Sequence, residues 1–208
     1  MPIMEYLIAG YGYMFRERVR QGWRLTFLTF TFNHLRGSAS NVAWQMRDEL
    51  ERVYAKVLTR IERKPRNVPP DLLPLWVCCP DFPVSKTEKH SFRDAVVNNG
   101  RHVHAIAAVP PWSRMKGTLE DHFYEHQNQY TGNGKPLFRI DAQPITHDGW
   151  FATDYGLKGA KSSRVGYDEL FILPRSTSEV PVRTKSVRDG DAQPRLTHPV
   201  TADQESAG

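Results

Sequence analysis

Hydrophobic and polar positions change their period within the first third of the chain. From Trp23 to Phe32 two interleaved sets of residues, rich in aromatic and β-branched side chains, follow a period of two, which predicts a buried strand. Beyond Ser38 and Ser40, either of which can cap a helix, the period becomes helical. We therefore predict a long amphipathic helix that ends near Arg63. Its apolar positions are Met46, Leu50, Val53, Val57 and Ile61.

The remaining segments complete an α+β order. Asn98–Gly100 separates two strand-like runs, and an Asn-Gly pair in such a place predicts a β-hairpin. The predicted elements after the first helix are strands at 75–79, 92–97, 101–109 and 138–145, and helices at 118–130 and 150–160. We expect a central, mainly antiparallel β-sheet flanked by helices.

The two ends of the chain differ from its middle. Residues 174–208 contain no aromatic residue and many Pro, Ser, Thr, Asp and Gln residues, so they cannot bury enough apolar surface to order themselves. We predict a disordered C-terminal tail there, an N-terminal extension at 1–22 and one domain at 23–173. With 208 residues and 39% hydrophobic composition, one core is the natural expectation.

Charge and cysteine content narrow the class of protein. The 28 Lys and Arg residues exceed the 23 acids by five, and bases and acids balance in the predicted tail, so the excess lies upstream and favours an anionic partner. No run approaches the roughly 20 apolar residues of a membrane span, and the opening segment carries Glu5, which argues against a signal peptide. We expect a cytoplasmic protein with no membrane partner. The adjacent Cys78 and Cys79 are expected to be reduced thiols in a strand.

His102 and His104 are the first candidates for chemistry. On a strand, residues i and i+2 project from one face, so the two imidazoles would be neighbours. Short patterns of this kind are more often packed or surface histidines, and a metal needs a third ligand. A three-residue hairpin loop would place Asp94 opposite His104, whereas a two-residue turn would place Ala95 there. With Asp94 the set would suit Mg²⁺ or Mn²⁺, and Zn²⁺ is also compatible with imidazole.

Tyr155 and Lys158 form the second candidate pair. Residues i and i+3 of a helix share a face, so the phenol and the ammonium would be neighbours. Tyrosine can act as a covalent nucleophile, and a nearby cation stabilises its phenolate. Gly156 and Gly159 disfavour a helix by about 1 kcal/mol each relative to alanine, so stability alone does not explain them. The alternative is a half-buried tyrosine beside a solvated lysine.

A further histidine pair, His122 and His126, is spaced for one face of the predicted helix at 118–130. No glutamate follows the first histidine as it does in zinc hydrolases. We therefore expect both to be helix-surface residues.

Taken in chain order, these segments resemble the three motifs of the HUH endonuclease superfamily, which contains rolling-circle replication initiators, transposases and relaxases. The three matching segments are Phe27–Phe32, His102-Val-His104 and Tyr155-Gly-Leu-Lys158. The strands and helices around them follow the superfamily's order between Trp23 and Ala160. The resemblance implies a ferredoxin-like, RRM-like fold in which the two histidines lie on a central strand and face the tyrosine helix.

The resemblance also implies a reaction and its partners. His102 and His104 match the ligands of a divalent ion, and Tyr155 matches the nucleophile that leaves a 5′-phosphotyrosyl link and a free 3′-hydroxyl. Lys158 matches the lysine of the third motif, and Lys161 lies one turn further, where it would contact the DNA backbone. The implied substrate is single-stranded DNA at the origin of a plasmid or phage-like element. Because the chain has no phosphate-binding loop of a fused helicase, host helicase and polymerase are implied partners.

Two other functions remain compatible with the sequence. Trp112, Arg114 and Lys116 follow the histidine strand and are candidates to hold single-stranded DNA by stacking and charge. A basic nucleic-acid-binding module without catalysis, such as a repressor or replication accessory, would need only residues of this kind. A metal-dependent hydrolase of small phosphodiesters would need the histidines and leave Tyr155 idle.

Overall fold

The segment with the alternating pattern forms a strand inside a five-stranded sheet. In the computed structural model, residues 3–81, 100–146, 149–161, 165–166 and 169–175 are described. The strands are β1 (Arg24–Phe32), β2 (Leu75–Asp81), β3 (His102–Val109), β4 (Leu137–Pro144) and β5 (Phe171–Leu173). Their order across the sheet is β4-β1-β3-β2-β5, and every neighbouring pair is antiparallel. The predicted α+β class with an antiparallel central sheet is confirmed.

Strand β3 is central, and its neighbours are not those of a hairpin. Thr29 of β1 lies opposite His104 on one side, and Cys79 of β2 lies opposite it on the other. Both edges of β3 are therefore paired with strands distant in sequence, and the predicted hairpin pairing of this strand is wrong. Non-local packing outweighed the local turn signal. Residues 92–97, the predicted hairpin partner, lie outside the described residues.

Helices flank both sides of this sheet. They are α1 (Ile3–Arg20), α2 (Ala39–Ile61), α3 (Leu119–Tyr130), α4 (Gly149–Gly156) and α5 (Lys158–Lys161). Ser38 caps α2, with its hydroxyl accepting a hydrogen bond from the Asn41 amide. Thr118 and Asp121 form a reciprocal capping box at the start of α3. The predicted helix at 150–160 is two helices with a break at Leu157.

The alternation of side chains along the strands produces two separate cores. On one face, α2 and α3 pack against the sheet, and Leu50 and Phe123 are buried together with Phe30. On the other face lie α1, α4 and α5, and Phe15 and Leu157 are buried in that core. The N-terminal extension predicted at 1–22 thus contains a helix that closes the second core.

The start of the predicted tail is held against the domain. The chain divides into two units, Met1–Ser176 and Thr177–Gly208, and every described residue belongs to the first. Arg175 Nη1 donates to Glu51 Oε1 at 3.0 Å, which joins the end of the described chain to α2.

Cys78 and Cys79 are buried free thiols in β2, as predicted. Across the described segments, no helix combines the length and apolar character that crossing a bilayer requires.

Candidate active site

Three potential metal ligands meet at one end of the sheet. Asp81 is the last residue of β2 and lies opposite His102, the first residue of β3. His104 follows on the same face of β3. The Nε2 atoms of the two histidines are 3.1 Å apart, and each lies 3.6 Å from Asp81 Oδ2. One carboxylate and two imidazoles therefore converge on a single point.

Contacts of the Nδ1 atoms orient both imidazole rings. His102 Nδ1 lies 2.9 Å from the carbonyl oxygen of Gly100. Because a carbonyl can only accept, His102 Nδ1 carries a proton, and in the neutral form of this ring Nε2 presents a lone pair. His104 Nδ1 lies 3.1 Å from Thr29 Oγ1, which can accept a hydrogen bond from the Nδ1–H tautomer of this ring. In this arrangement both Nε2 lone pairs point into the space beside Asp81, which favours a cation at that position.

The spacing of the three ligand atoms fits a divalent ion. At metal–ligand distances of about 2.1 Å, adjacent ligands are separated by about 3.0 Å in octahedral and about 3.4 Å in tetrahedral coordination. The observed separations of 3.1, 3.6 and 3.6 Å lie close to these values. The donor set of two imidazole nitrogens and one carboxylate oxygen suits Mn²⁺, Zn²⁺ or Mg²⁺. Asp81, His102 and His104 thus have both the chemistry and the spacing of a metal site.

Burial and charge keep two of these ligands in their binding forms. Burial raises the pKa of Asp81, but contacts with His104 and Lys158 and the positive charge of Lys158 outweigh it, so the pKa lies well below its usual range. The Lys158 ammonium is 3.2 Å from Asp81 Oδ2. Burial also lowers the pKa of His104. The carboxylate is therefore ionised and the imidazole neutral, as metal coordination requires.

Tyr155 lies beside this cluster on α4. Its ring packs against Phe27, with centroids 5.6 Å apart, and lies 6.2 Å from the His104 ring. The side chain is 51% exposed, so a large substrate can reach it. Lys158 Nζ lies 4.7 Å from the centre of the Tyr155 ring while it pairs with Asp81. One ammonium thus links the tyrosine to the metal-ligand cluster.

The two glycines next to this pair explain how α4 and α5 come so close to the sheet. A Cβ on Gly156 would lie 3.2 Å from Phe27 Cε2. A Cβ on Gly159 would lie 2.9 Å from the carbonyl oxygen of Pro80 and 3.2 Å from Asp81 Oδ1. The cost in helix propensity is therefore offset by a close approach to β1 and β2.

Five residues form this site: Asp81, His102, His104, Tyr155 and Lys158. All of them except Asp81 were named from the sequence. The predicted strand ended at Cys79, the last residue of the apolar run 75–79. In the structure β5 pairs only with Trp76–Cys78, so Pro80 lies beyond the paired part of that edge and its missing N–H is tolerated. A period of two continued from Cys79 would have placed Asp81 on the histidine face. Asp94, the predicted third ligand, lies outside the described residues.

The predicted DNA-contacting residues do not surround this cluster. Trp112 is half exposed and meets the Trp23 ring edge-on at 5.4 Å, beyond the far end of β3. Val109, the last residue of β3, is five residues from His104, or about 17 Å along the strand. Arg114 and Lys116 line a cavity between α2 and α3. Lys161 pairs with Asp154 at the surface.

The chemistry of this site is inferred from its geometry, because no known protein offers a comparison. Comparison with family models, with curated proteins and with solved structures finds nothing that matches the chain. The site combines three side chains that could hold a metal ion, a solvent-accessible phenol and an ammonium beside that phenol. Such a combination is suited to group transfer at a phosphate, in which negative charge develops next to a tyrosine nucleophile.

Proposed function

We propose that this protein is a metal-dependent endonuclease and strand transferase that nicks and rejoins single-stranded DNA through Tyr155. The observation that carries the proposal is the position of Tyr155 and Lys158 beside Asp81, His102 and His104 on one face of the sheet. A metal site alone would serve many hydrolases. Here an exposed tyrosine also lies beside Lys158, which pairs with the possible metal ligand Asp81. This arrangement supports covalent catalysis by Tyr155.

The proposed reaction conserves the number of phosphate ester bonds. The Tyr155 phenol loses its proton to solvent, and its oxygen forms a bond to the scissile phosphorus. The bond from phosphorus to the 3′-oxygen of the preceding nucleotide breaks, and that oxygen takes up a proton to become a free hydroxyl. A later attack by a 3′-hydroxyl on the phosphotyrosine reverses both steps and releases Tyr155.

The chain's own residues hold the reacting groups in place. A divalent ion, held by Asp81, His102 and His104, would supply Lewis-acid stabilisation of the phosphate. Lys158 Nζ lies 4.7 Å from the centre of the Tyr155 ring, where it can approach the negative charge that develops on the phosphate. Thr29 fixes the ring of His104, and the buried position of Asp81 keeps its carboxylate in one orientation.

Two features favour a nucleic acid strand over a small ester. Tyr155 is half exposed on an open surface, which suits an extended polymer better than an enclosed metabolite. The excess of five positive charges favours a polyanion. In line with the resemblance stated above, we propose initiation of rolling-circle replication of a plasmid or phage-like element as the biological role, with host helicase and polymerase as partners.

The proposal is tested by a search for the covalent intermediate. The full chain is incubated with a pool of random single-stranded oligonucleotides and Mn²⁺, digested with protease and analysed by mass spectrometry. We expect a nucleotide-modified peptide that contains Tyr155, and sequencing of the attached strands gives the cleaved site. Absence of any adduct from a protein that binds the same pool would contradict the proposal.

Matched variants separate catalysis from binding. Tyr155→Phe should form no adduct and bind the pool as tightly as the unaltered protein, since only the nucleophilic oxygen is removed. Tyr124→Phe is the control, because Tyr124 is 88% exposed on α3, which packs on the other face of the sheet. Adduct formation that persists in Tyr155→Phe would remove Tyr155 from the mechanism. Hydrolysis of a small phosphodiester by that variant would favour a hydrolase instead.

A further inference from the structure

A second feature lies on the face of the sheet opposite to the metal-ligand cluster. Helices α2 and α3 pack there, and the loop after β3 lies against the end of α2, with the Arg114 amide donating to the carbonyl oxygen of Ile61. Between these elements is a cavity of about 690 Å³, which we call the α2/α3 groove. This volume exceeds the need of one phosphate group and lies in the range of sites for much larger ligands.

The α2/α3 groove is strongly cationic. Four cationic side chains line it, and Glu125 carries the one carboxylate among its described lining residues; the four are Lys56, Arg60, Arg114 and Lys116. All four are exposed, and no carboxylate of the described residues forms an ion pair with any of them. Arg63, Lys64 and Arg66 line a second hollow directly after α2. The positive surface thus continues past the end of the helix.

The middle of α2 shows that this lack of partners is local. Arg47 pairs with Glu51, and Arg52 pairs with both Asp48 and Glu49. These two arginines are therefore neutralised by neighbours on the same helix, whereas Lys56 and Arg60, one and two turns further along, face the groove. A polyanion is the ligand that would neutralise several adjacent cations at once.

The floor of the groove is buried and uncharged. His122 is 6% exposed, and its Nε2 lies 2.7 Å from the Tyr130 hydroxyl, so the expectation that it is a helix-surface residue is wrong. Burial, together with the positive charges of His126 and Arg60, lowers the pKa of His122 to about 4. The floor therefore stays neutral, and positive charge is confined to the groove's rim.

The groove is built for phosphates rather than bases. Tyr130 is buried, and the Lys56 ammonium lies over its ring, 5.3 Å from the centroid, while it donates to the carbonyl oxygen of Gln129. The Tyr130 ring is therefore covered and cannot stack on a base. Exposed lysines and arginines around a wide opening bind the sugar-phosphate backbone without reading sequence.

We propose that the α2/α3 groove binds the phosphate backbone of a polynucleotide strand, independently of sequence, on the face of the sheet that does not carry Tyr155. The site is separate from the proposed catalytic cluster and does not depend on it. Its place in the reaction rests on the proposed function: it would hold DNA that flanks the segment at Tyr155 and keep a nicked substrate attached.

The test compares two charge-matched double variants of the full chain. Arg60→Gln/Lys116→Gln removes two groove cations. Arg20→Gln/Arg52→Gln removes two exposed cations that already form ion pairs, with Glu17 on α1 and with Asp48 and Glu49 on α2. Binding of a fluorescent oligonucleotide of about twenty thymidines is measured between about 50 and 200 mM salt. Circular dichroism verifies that both variants are folded.

The groove variant should bind about tenfold more weakly, and the slope of log K against log salt should fall by about 1.4, since each lost contact to a single strand removes about 0.7. In the control variant both the affinity for the oligonucleotide and the salt slope should change less than in the groove variant. Equal behaviour of the two variants would overturn the proposal. So would full displacement of the oligonucleotide by inorganic phosphate at concentrations equal to those of its own phosphates, since this would indicate a small-anion site. Failure of the proposed function is seen separately, as absence of a Tyr155 adduct in the unaltered protein.

Discussion

Charged side chains of the metal-ligand cluster on one face of the sheet neutralise each other, whereas the cations of the α2/α3 groove on the other face are left open to solvent. On the first face Lys158 pairs with Asp81, and both lie beside the His102 and His104 rings. On the second face the cations of the α2/α3 groove, such as Arg60, have no carboxylate partner among the described residues. The two faces share one sheet and differ in how charge is handled.

This difference suits the two sites to different functions, one to catalysis and the other to binding. Buried, mutually oriented charges hold one small ion and a reacting group in fixed geometry, because burial strengthens electrostatic interactions. Exposed and unpaired cations attract a flexible polymer from a distance without fixing its position. Variants on the first face should therefore change chemistry, and variants on the second face should change affinity and its salt dependence.

Removal of a metal ligand should have the largest effect. Asp81→Asn keeps the size of the side chain but removes its charge, and loss of outer-shell partners alone commonly costs about 10- to 100-fold in metal affinity. We expect Mn²⁺ affinity, measured by calorimetry, to fall by at least about 100-fold, with a parallel loss of adduct formation.

The control for this variant is Asp141→Asn, on the exposed part of β4, where the carboxylate pairs with Arg139. It should bind Mn²⁺ like the unaltered protein. Unchanged Mn²⁺ affinity in Asp81→Asn would remove this residue from the metal site and return attention to Asp94.

A change at Gly159 should have a smaller effect on the same face. In Gly159→Ala the new Cβ would lie 2.9 Å from the Pro80 carbonyl oxygen, so α5 must shift away from β2. Because Lys158 is carried on α5, its contact with Asp81 should lengthen. We expect the rate of adduct formation to fall about tenfold, or about 1.4 kcal/mol in barrier, with DNA affinity unchanged.

The control is Gly10→Ala on α1, where a Cβ would meet nothing within 4 Å. Gly134 is also open, but its positive φ would strain an alanine, so it is not used. A Gly159→Ala protein with the normal rate would show that the close approach of α5 has no part in the reaction.

On the other face, His122 makes stability depend on pH. Its pKa in the folded protein is lowered to about 4, whereas the unfolded chain has the ordinary value of about 6.5. Between these values the unfolded chain binds the proton more readily, so the contribution is fully present above about pH 6.5 and is lost as pH falls to about 4. The loss should reach roughly 3 kcal/mol in the free energy of unfolding.

Urea titrations at several pH values measure this slope. His122→Gln should flatten it, and His34→Gln, at an exposed position, should leave it unchanged. An equally steep slope in His122→Gln would assign the pH dependence to other groups.

The smallest effect is expected at the cap of α3. Thr118→Ala removes the hydroxyl that accepts from the Asp121 amide and should cost about 1 kcal/mol of stability in thermal unfolding. Adduct formation should not change, because α3 packs on the face without Tyr155. Loss of adduct in a folded Thr118→Ala protein would show that the two faces are coupled.

Local sequence signals predicted what local physics controls. The period of two identified β1, the spacing of His102 and His104 placed both imidazoles together, and Ser38 and Thr118 marked the helix starts correctly. Each of these depends on residues only a few positions apart.

The remainder depended on contacts between distant segments. Asp81 joined the histidines only because β2 pairs with β3, a register that no local signal encodes. The Asn-Gly turn signal pointed instead to a hairpin. His122 was buried by Tyr130, which lies two turns further along α3. No helix was predicted within the extension at 1–22, and the buried residues Ile8 and Phe15 of α1 pack in the second core with side chains from the strands.

The proposed reaction links Tyr155 covalently to the 5′ phosphate at a cut in single-stranded DNA. To test this, an oligonucleotide that contains the cleavage site and carries a different dye at each end is incubated with the protein and Mn²⁺, and the products are separated on a denaturing gel. We expect the 3′-end dye to migrate with the protein and the 5′-end dye to be released on a strand with a free 3′-hydroxyl, and we expect Tyr155→Phe to show neither. Release of both dyes from the protein, or an adduct that survives in Tyr155→Phe, would contradict it.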